Sequence, residues 1–261
     1  MNRIVQKFRE LKKADKKALI TYVMAGDPDL RMTYKLILEM ARQGADIIEL
    51  GVPFSDPIAD GPTIQRAGQR ALRSKTDLGK ILTLVSRLRK KTEVPIILMT
   101  YFNILFRFSL VKFVREASKR GVDGLIIPDL IPEEAGELLS LSKTHNLSLI
   151  FLVSSTSGTA RIKKIASMTR GFIYYVSLTG VTGARSSLPQ DIKDNVLRIK
   201  RISSKPVCVG FGISGANQVK EIFKFSDGAV VGSAIINVIE KNLGKRNLVE
   251  KVGSFIKHLK S

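Results

Sequence analysis

The chain has 261 residues, 44% of them hydrophobic, which suffices for a sizeable core in one large domain or two small ones. Lysine and arginine number 43 against 23 aspartates and glutamates, a formal net charge of +20. No apolar run is long enough for a membrane span. Residues 1–17 alternate charge and hydrophobe as a short amphipathic helix does, so no secretory signal is expected.

The basic residues are dispersed, among them Lys12, Lys13, Lys16, Lys17, Arg87, Arg89, Lys90, Lys91, Arg198, Lys200 and Arg201. Most fall at the polar positions of amphipathic helices, and no zinc finger, basic zipper or aromatic RNA motif accompanies them. A nucleic-acid partner is therefore not expected, although the positive surface can attract an anionic substrate. The single cysteine, Cys208, lies in the apolar run Pro206-Val207-Cys208-Val209. It cannot form a disulfide within the chain, a buried thiol is expected, and a reducing cytosol or organelle stroma is the expected location.

In chain order, short aliphatic or β-branched runs predict strands at 18–23, 47–50, 95–99, 124–127, 149–152, 172–176, 206–209 and 228–231. Helical patterns fall between them at 30–43, 78–91, 110–120, 132–145, 160–170 and 190–202, with no linker or low-complexity segment. Alternation of this kind demands a parallel sheet covered by helices. Its size fits an α/β fold of the (β/α)8 TIM-barrel type, one domain over residues 1–261 with a short N-terminal helix; an open doubly wound sheet is the alternative. Barrel chemistry sits at the C-terminal ends of strands, and phosphate commonly binds after the seventh and eighth.

The second strand runs into Ile47-Ile48-Glu49-Leu50-Gly51 and a loop holding Asp56 and Asp60. A glutamate within an aliphatic strand is expensive to bury. Pointing into the barrel mouth, Glu49 would have its proton affinity raised toward neutrality, where it can both give and take a proton. A structural ion pair with lysine or arginine is the alternative. Asp60, just before Gly61-Pro62, suits either catalysis or the N-cap of a helix opened by Pro62. Late glycine clusters, Gly180 to Gly183, Gly210 to Gly215 and Gly232-Ser233-Ala234, allow close backbone approach and suit a phosphate better than a dinucleotide. His145 and His258 have no ligand-spaced partners, so no metal site is expected. Ser154, Ser155 and Thr156 have no histidine base nearby in sequence, so a serine nucleophile is not supported.

The run Glu49 to Gln65, with Met24-Ala25-Gly26-Asp27-Pro28, Met99 to Asn103, Pro128-Asp129-Leu130, Gly180 to Arg185, Gly210 to Ser214 and Gly232-Ser233-Ala234, resembles the tryptophan synthase alpha subunits over essentially the whole chain. The resemblance implies a lyase that splits indole-3-glycerol phosphate to indole and glyceraldehyde 3-phosphate. By it, Glu49 transfers protons and Asp60 faces the indole N–H. Tyr22, Ile64, Tyr101, Tyr174, Thr182 and Phe211 contact the substrate, and Gly183, Gly212, Gly232 and Ser233 hold its phosphate. It implies no cofactor in this subunit. Pyridoxal phosphate belongs to a beta subunit that binds in an α2β2 heterotetramer and receives indole through a tunnel. Two departures stand out: Tyr22 replaces a usual phenylalanine, and Leu178-Thr179 a commoner Arg-Ser pair. A different phosphate-gripping barrel, such as a sugar-phosphate isomerase, would keep the glycines but would not need the Glu49 and Asp60 loop.

Overall fold

A computed structural model describes residues 1–176, 190–210 and 212–261. A helix α1 (Arg3–Lys13) precedes β1 (Ala18–Met24), α2 (Leu30–Arg42), β2 (Ile47–Gly51), α3 (Pro62–Arg73), α4 (Leu78–Leu88) and β3 (Ile96–Met99). There follow α5 (Phe102–Phe108), α6 (Leu110–Lys119), β4 (Gly124–Ile126), α7 (Gly136–Thr144), β5 (Ser148–Ile150) and β6 (Leu152–Ser154). The chain closes with α8 (Thr159–Met168), β7 (Ile173–Val176), α9 (Gln190–Ile202), β8 (Val207–Gly210), α10 (Ala216–Phe223), β9 (Gly228–Val231), α11 (Ser233–Lys241) and α12 (Leu248–Lys260).

All the strand pairings are parallel, and β1 lies between β2 and β9. The fifth predicted strand, 149–152, is two segments, β5 and β6, separated by Phe151 alone. Leu149 O accepts from Arg170 N at 3.0 Å and Phe151 O from Tyr174 N at 3.2 Å, so the two halves act as one stave that closes the barrel. The (β/α)8 expectation stands and the open sheet does not.

Two apolar layers hold this arrangement. Outside, the helices bury one face each against the strands, as Leu36, Ile37 and Met40 of α2 do. Inside, Ala18, Ile20, Ile47, Ile97, Ile126, Ile150, Phe172, Cys208 and Val230 fill the barrel. The interior cluster continues onto Ile4, Phe8 and Leu11, so α1 closes its N-terminal end. That helix is shorter than the amphipathic stretch 1–17: Asn2 caps its start, accepting from Ile4 N at 3.0 Å, and it ends at Lys13, before Asp15 with its φ of +49°. Asn2 also donates to the carbonyls of Asp123 and Asn146, at 2.7 and 2.8 Å.

Helix ends retreat from the predicted ranges. The helix expected over 132–145 begins only at Gly136, because residues 132–134 form a turn, and that expected over 78–91 stops at Leu88. Helices α5, α10, α11 and α12 add to those predicted, and α3 is the helix expected to open at Pro62. Among the described residues, no helix is long and apolar enough to cross a membrane.

Candidate active site

Register places Glu49 between Tyr22 of β1 and Ile97 of β3. Alternate residues share a sheet face, and Ile47 and Ile97 belong to the interior cluster, so Glu49 points inward one layer nearer the mouth than Ile47. It is 1% exposed, and its Oε2 has no hydrogen-bond partner among the described residues. Burial first and the Asp60 carboxylate second push its pKa up to about 8. Among the described residues the ion-pair alternative finds no lysine or arginine partner: the nearby charge that acts on this group is negative, and burial favours the protonated acid.

The other carboxylate arrives on the loop after β2. Ala59 N donates to the Tyr101 hydroxyl at 3.1 Å, and the Phe54 ring lies 5.2 Å from that of Tyr101. The Asp60 carbonyl accepts from Gln65 Nε2 at 2.8 Å. Its carboxyl is half-buried beside the Tyr101 hydroxyl. Burial raises its pKa and the Tyr101 hydrogen bond opposes the rise. Pro62 does open α3, but the N-cap is Gly61, with no side-chain cap. The N-cap reading of Asp60 is thus corrected, and its carboxylate is left for the site.

The backbone just after Tyr101 is held by a residue to which sequence reasoning gave no role. The Asp129 carboxylate accepts from Phe102 N at 2.9 and 3.1 Å, anchoring the first turn of α5 directly after Tyr101. The available signal was an acid following an aliphatic strand, in Pro128-Asp129-Leu130.

Tyr22 and Tyr174 are set by two glycines, Gly51, to which sequence reading gave no role, and Gly210, which it placed in a phosphate-binding cluster. A β-carbon at Gly51 would fall 2.2 Å from the Tyr22 hydroxyl and 2.7 Å from its Cζ. One at Gly210 would fall 2.3 Å from the Tyr174 hydroxyl. Each tyrosine leans across the glycine two residues beyond its register partner on the next strand. Burial dominates in keeping both phenols protonated. The Asp60 and Glu49 charges act on Tyr22 as well, and the Glu49 charge on Tyr174. Among the described residues Tyr22 donates a long 3.9 Å bond to Met24 Sδ. The structure thus brings Tyr22, Tyr101, Tyr174, Glu49 and Asp60 together at the mouth. Ile64 lies partly buried on the first turn of α3, packed against the core.

Across β1 from the Asp60 loop, Gly232 N-caps α11 and, one strand further on, Gly215 N-caps α10, neither with a side-chain cap. Ser233 is exposed at the first position of α11. Gly212 has φ of +51° with open space where a β-carbon would sit, a backbone geometry that suits glycine. Uncapped amides at two helix starts face the region after β8 and β9, as an anion site requires. Thr182, Gly183 and Phe211, also named from the sequence, lie outside the described residues. Cys208 is buried in the barrel interior, its thiol pushed up by burial. Among the described residues no cluster of His, Cys, Asp or Glu could hold a metal ion.

Comparison with known proteins agrees with the barrel fold and gives its family. The family model described as tryptophan synthase alpha chain matches residues 8–261. The tryptophan synthase alpha chain of Citrifermentans bemidjiense is 51% identical over 260 residues, covering 100% of this chain and 97% of that one. The tryptophan synthase subunit alpha of Legionella pneumophila superposes with a TM-score of 0.93 at 37% identity, over 100% of this chain and 97% of the other. A chain of the tryptophan synthase α2β2 complex of Pyrococcus furiosus gives 0.88 at 39% identity, over 93% and 97%. The parallel barrel and the match along nearly its whole length admit one reading: the chain belongs to the tryptophan synthase alpha chain family.

Proposed function

We propose that Glu49 and Asp60 carry the cleavage of indole-3-glycerol phosphate to indole and glyceraldehyde 3-phosphate, the lyase reaction of this family. The observation that supports it most is the buried Glu49, its Oε2 without a hydrogen-bond partner among the described residues and its pKa raised to about 8. The reaction needs a proton on indole C3 and the loss of one from the glycerol hydroxyl. Protonated Glu49 gives its proton to C3, and the resulting carboxylate takes the hydroxyl proton. The carbon–carbon bond then breaks, its electrons return to the indole ring, and the aldehyde leaves. Glu49 ends as it began. Positive charge develops on the ring nitrogen in between, and a half-buried Asp60 carboxylate facing that N–H stabilises it. Tyr22, Ile64, Tyr101 and Tyr174 would line the indole end. Gly212, Gly232 and Ser233 would hold the phosphate, with Thr182, Gly183 and Phe211 assigned by family resemblance alone.

The P. furiosus relative is described as a complex whose subunits activate one another. A beta subunit, carrying the pyridoxal phosphate that this chain does not need, is the partner we assign here in an α2β2 heterotetramer. Exposed apolar side chains on loops and helix ends near the mouth support that docking: Ile58, Phe106 and Ile131 are 81%, 68% and 44% exposed. A groove lined by Phe102, Asn103, Phe106 and Asp129 lies beside them. Indole release from indole-3-glycerol phosphate, measured with and without a beta subunit, tests both readings. Slow release alone and strong stimulation by the beta subunit are expected, with Phe106→Asp removing the stimulation and leaving the basal rate near wild type. No release under either condition sinks the assignment of the reaction.

The phosphate end gives a separate expectation. Ser233→Asp adds a carboxylate to the first turn of α11, where it favours the helix by ~0.3–1 kcal/mol. The same charge occupies the anion site, so binding of phosphorylated ligands should weaken roughly tenfold or more while the melting temperature holds or rises. Calorimetric titration with glycerol 3-phosphate alongside a thermal melt checks it. Undiminished phosphate binding would move that site elsewhere.

A further inference from the structure

Four charged side chains tie together three segments that frame the mouth. Asp27, wholly buried in the loop after β1, receives Arg70 of α3 through two parallel bonds, Nε to Oδ1 at 2.7 Å and Nη2 to Oδ2 at 2.9 Å. Arg70 directs its Nη1 to Glu240 of α11 at 2.8 Å. Arg66, one turn earlier on α3, holds both oxygens of Glu240 at 2.9 Å. Alongside, Ser74 Oγ donates to the Gly26 carbonyl at 3.1 Å, pinning the C-terminal end of α3 to the same loop.

The placement of these residues gives the network its interest. Helix α3 is the continuation of the loop that carries Asp60, and Pro62 stiffens the junction. Helix α11 opens with the Gly232 and Ser233 amides, two turns before Glu240. An exposed ion pair would contribute little rigidity. Here two of the three pairings are bidentate, which fixes orientation as well as distance. The inner members are shielded as well, with the Asp27 and Arg70 side chains 0% and 18% exposed.

We infer that the chain Asp27–Arg70–Glu240–Arg66 is a positioning device that sets the span between the Asp60 end of the site and the phosphate-binding start of α11. The inference rests on the reading of those two ends given above. A substrate with an indole at one end and a phosphate at the other gains from both contacts only when the spacing is right, because the second contact is then made at high effective concentration. None of the four residues need touch the substrate. They act through α3 and α11.

The test separates spacing from stability. Arg66→Met and Glu240→Gln both loosen the outer half of the network while leaving buried Asp27 its Arg70 partner, so neither strands a buried charge. Binding of three probes is measured by calorimetry on each folded variant: indole, glycerol 3-phosphate, and indole-3-propanol phosphate, which joins the two ends. The joined ligand should weaken roughly tenfold, within the range seen for coupled networks, while each single-ended probe changes less than about twofold. Turnover should fall with it, and Glu240→Asp, which keeps the charge but shortens its reach, should restore part of the loss. Equal weakening of all three probes, or unchanged binding with only a lower melting temperature, overturns the inference. A wild-type chain that binds the joined ligand no better than its separate parts overturns the reading of the site itself, and the two failures are thereby told apart.

Discussion

Glu49→Gln should fold and bind substrate yet lose indole release by ~10²–10⁴-fold, the range for removing a positioned acid–base group, and toward its upper end because one residue serves two proton transfers. Glutamine matches the shape of the neutral acid, which is the form that burial favours at Glu49. Loss of rate would therefore report proton chemistry rather than packing. Steady-state indole release and circular dichroism on the same preparation check it; a variant with near wild-type turnover would remove Glu49 from the mechanism.

The same substitution carries a stability signature. The folded-state pKa of Glu49, about 8, lies above the ordinary carboxylate value of 4.5. The contribution of this group to stability is thus full below about pH 4.5 and is lost progressively as pH rises through about 8. Glutamine cannot ionise and escapes that loss. Melting curves of wild type and Glu49→Gln should lie close together in acid and diverge with rising pH, the variant becoming the more stable one. Parallel curves across this range would mean that Glu49 is not buried without a partner in solution.

Much of the barrel was legible because parallel strands covered on both faces read as continuous aliphatic runs, and the alternating helices have strong periodicity. The break at Phe151 was not, since β5 pairs only with β4 and β6 only with β7, and nothing in Leu149-Ile150-Phe151-Leu152 signals a change of partner. Short α5 escaped for a related reason. Its seven residues, Phe-Asn-Ile-Leu-Phe-Arg-Phe, have no capping side chain of their own and depend on Asp129 from the next strand's end. Glu49 could be read as chemical from its cost in an aliphatic strand. The companion features of the site, Gly51 under Tyr22 and Arg70 on Asp27, are contacts between segments far apart in sequence. The Arg66 and Arg70 spacing shows a shared helix face, but not that Asp27 and Glu240 meet it.

Gly51 supplies the second large expected effect. A methyl group there would sit 2.2 Å from the Tyr22 hydroxyl and 2.7 Å from Cζ, separations that contacts essentially never show without movement, and 3.0 Å from Cε2. Strand β2 is paired on both edges, to β1 and β3, and cannot yield, so the tyrosine ring must. Tyr22 is the register partner of Glu49 and its ring is buried, so displacing it disturbs the wall beside the Glu49 carboxyl and the proposed indole site. Gly51→Ala should therefore reduce indole release by ~10²-fold, the scale of a misplacement of about 1 Å in a catalytic geometry, with a smaller fall in melting temperature. Shortening the tyrosine should undo part of the damage. Tyr22→Leu removes the ring atoms that would meet the new methyl, so Gly51→Ala with Tyr22→Leu should turn over faster than Gly51→Ala alone. Tyr22→Phe should rescue far less, because Cζ remains 2.7 Å away. A double-mutant cycle on turnover measures this coupling directly. Additive losses would mean that position 51 acts on the chemistry through something other than the Tyr22 ring.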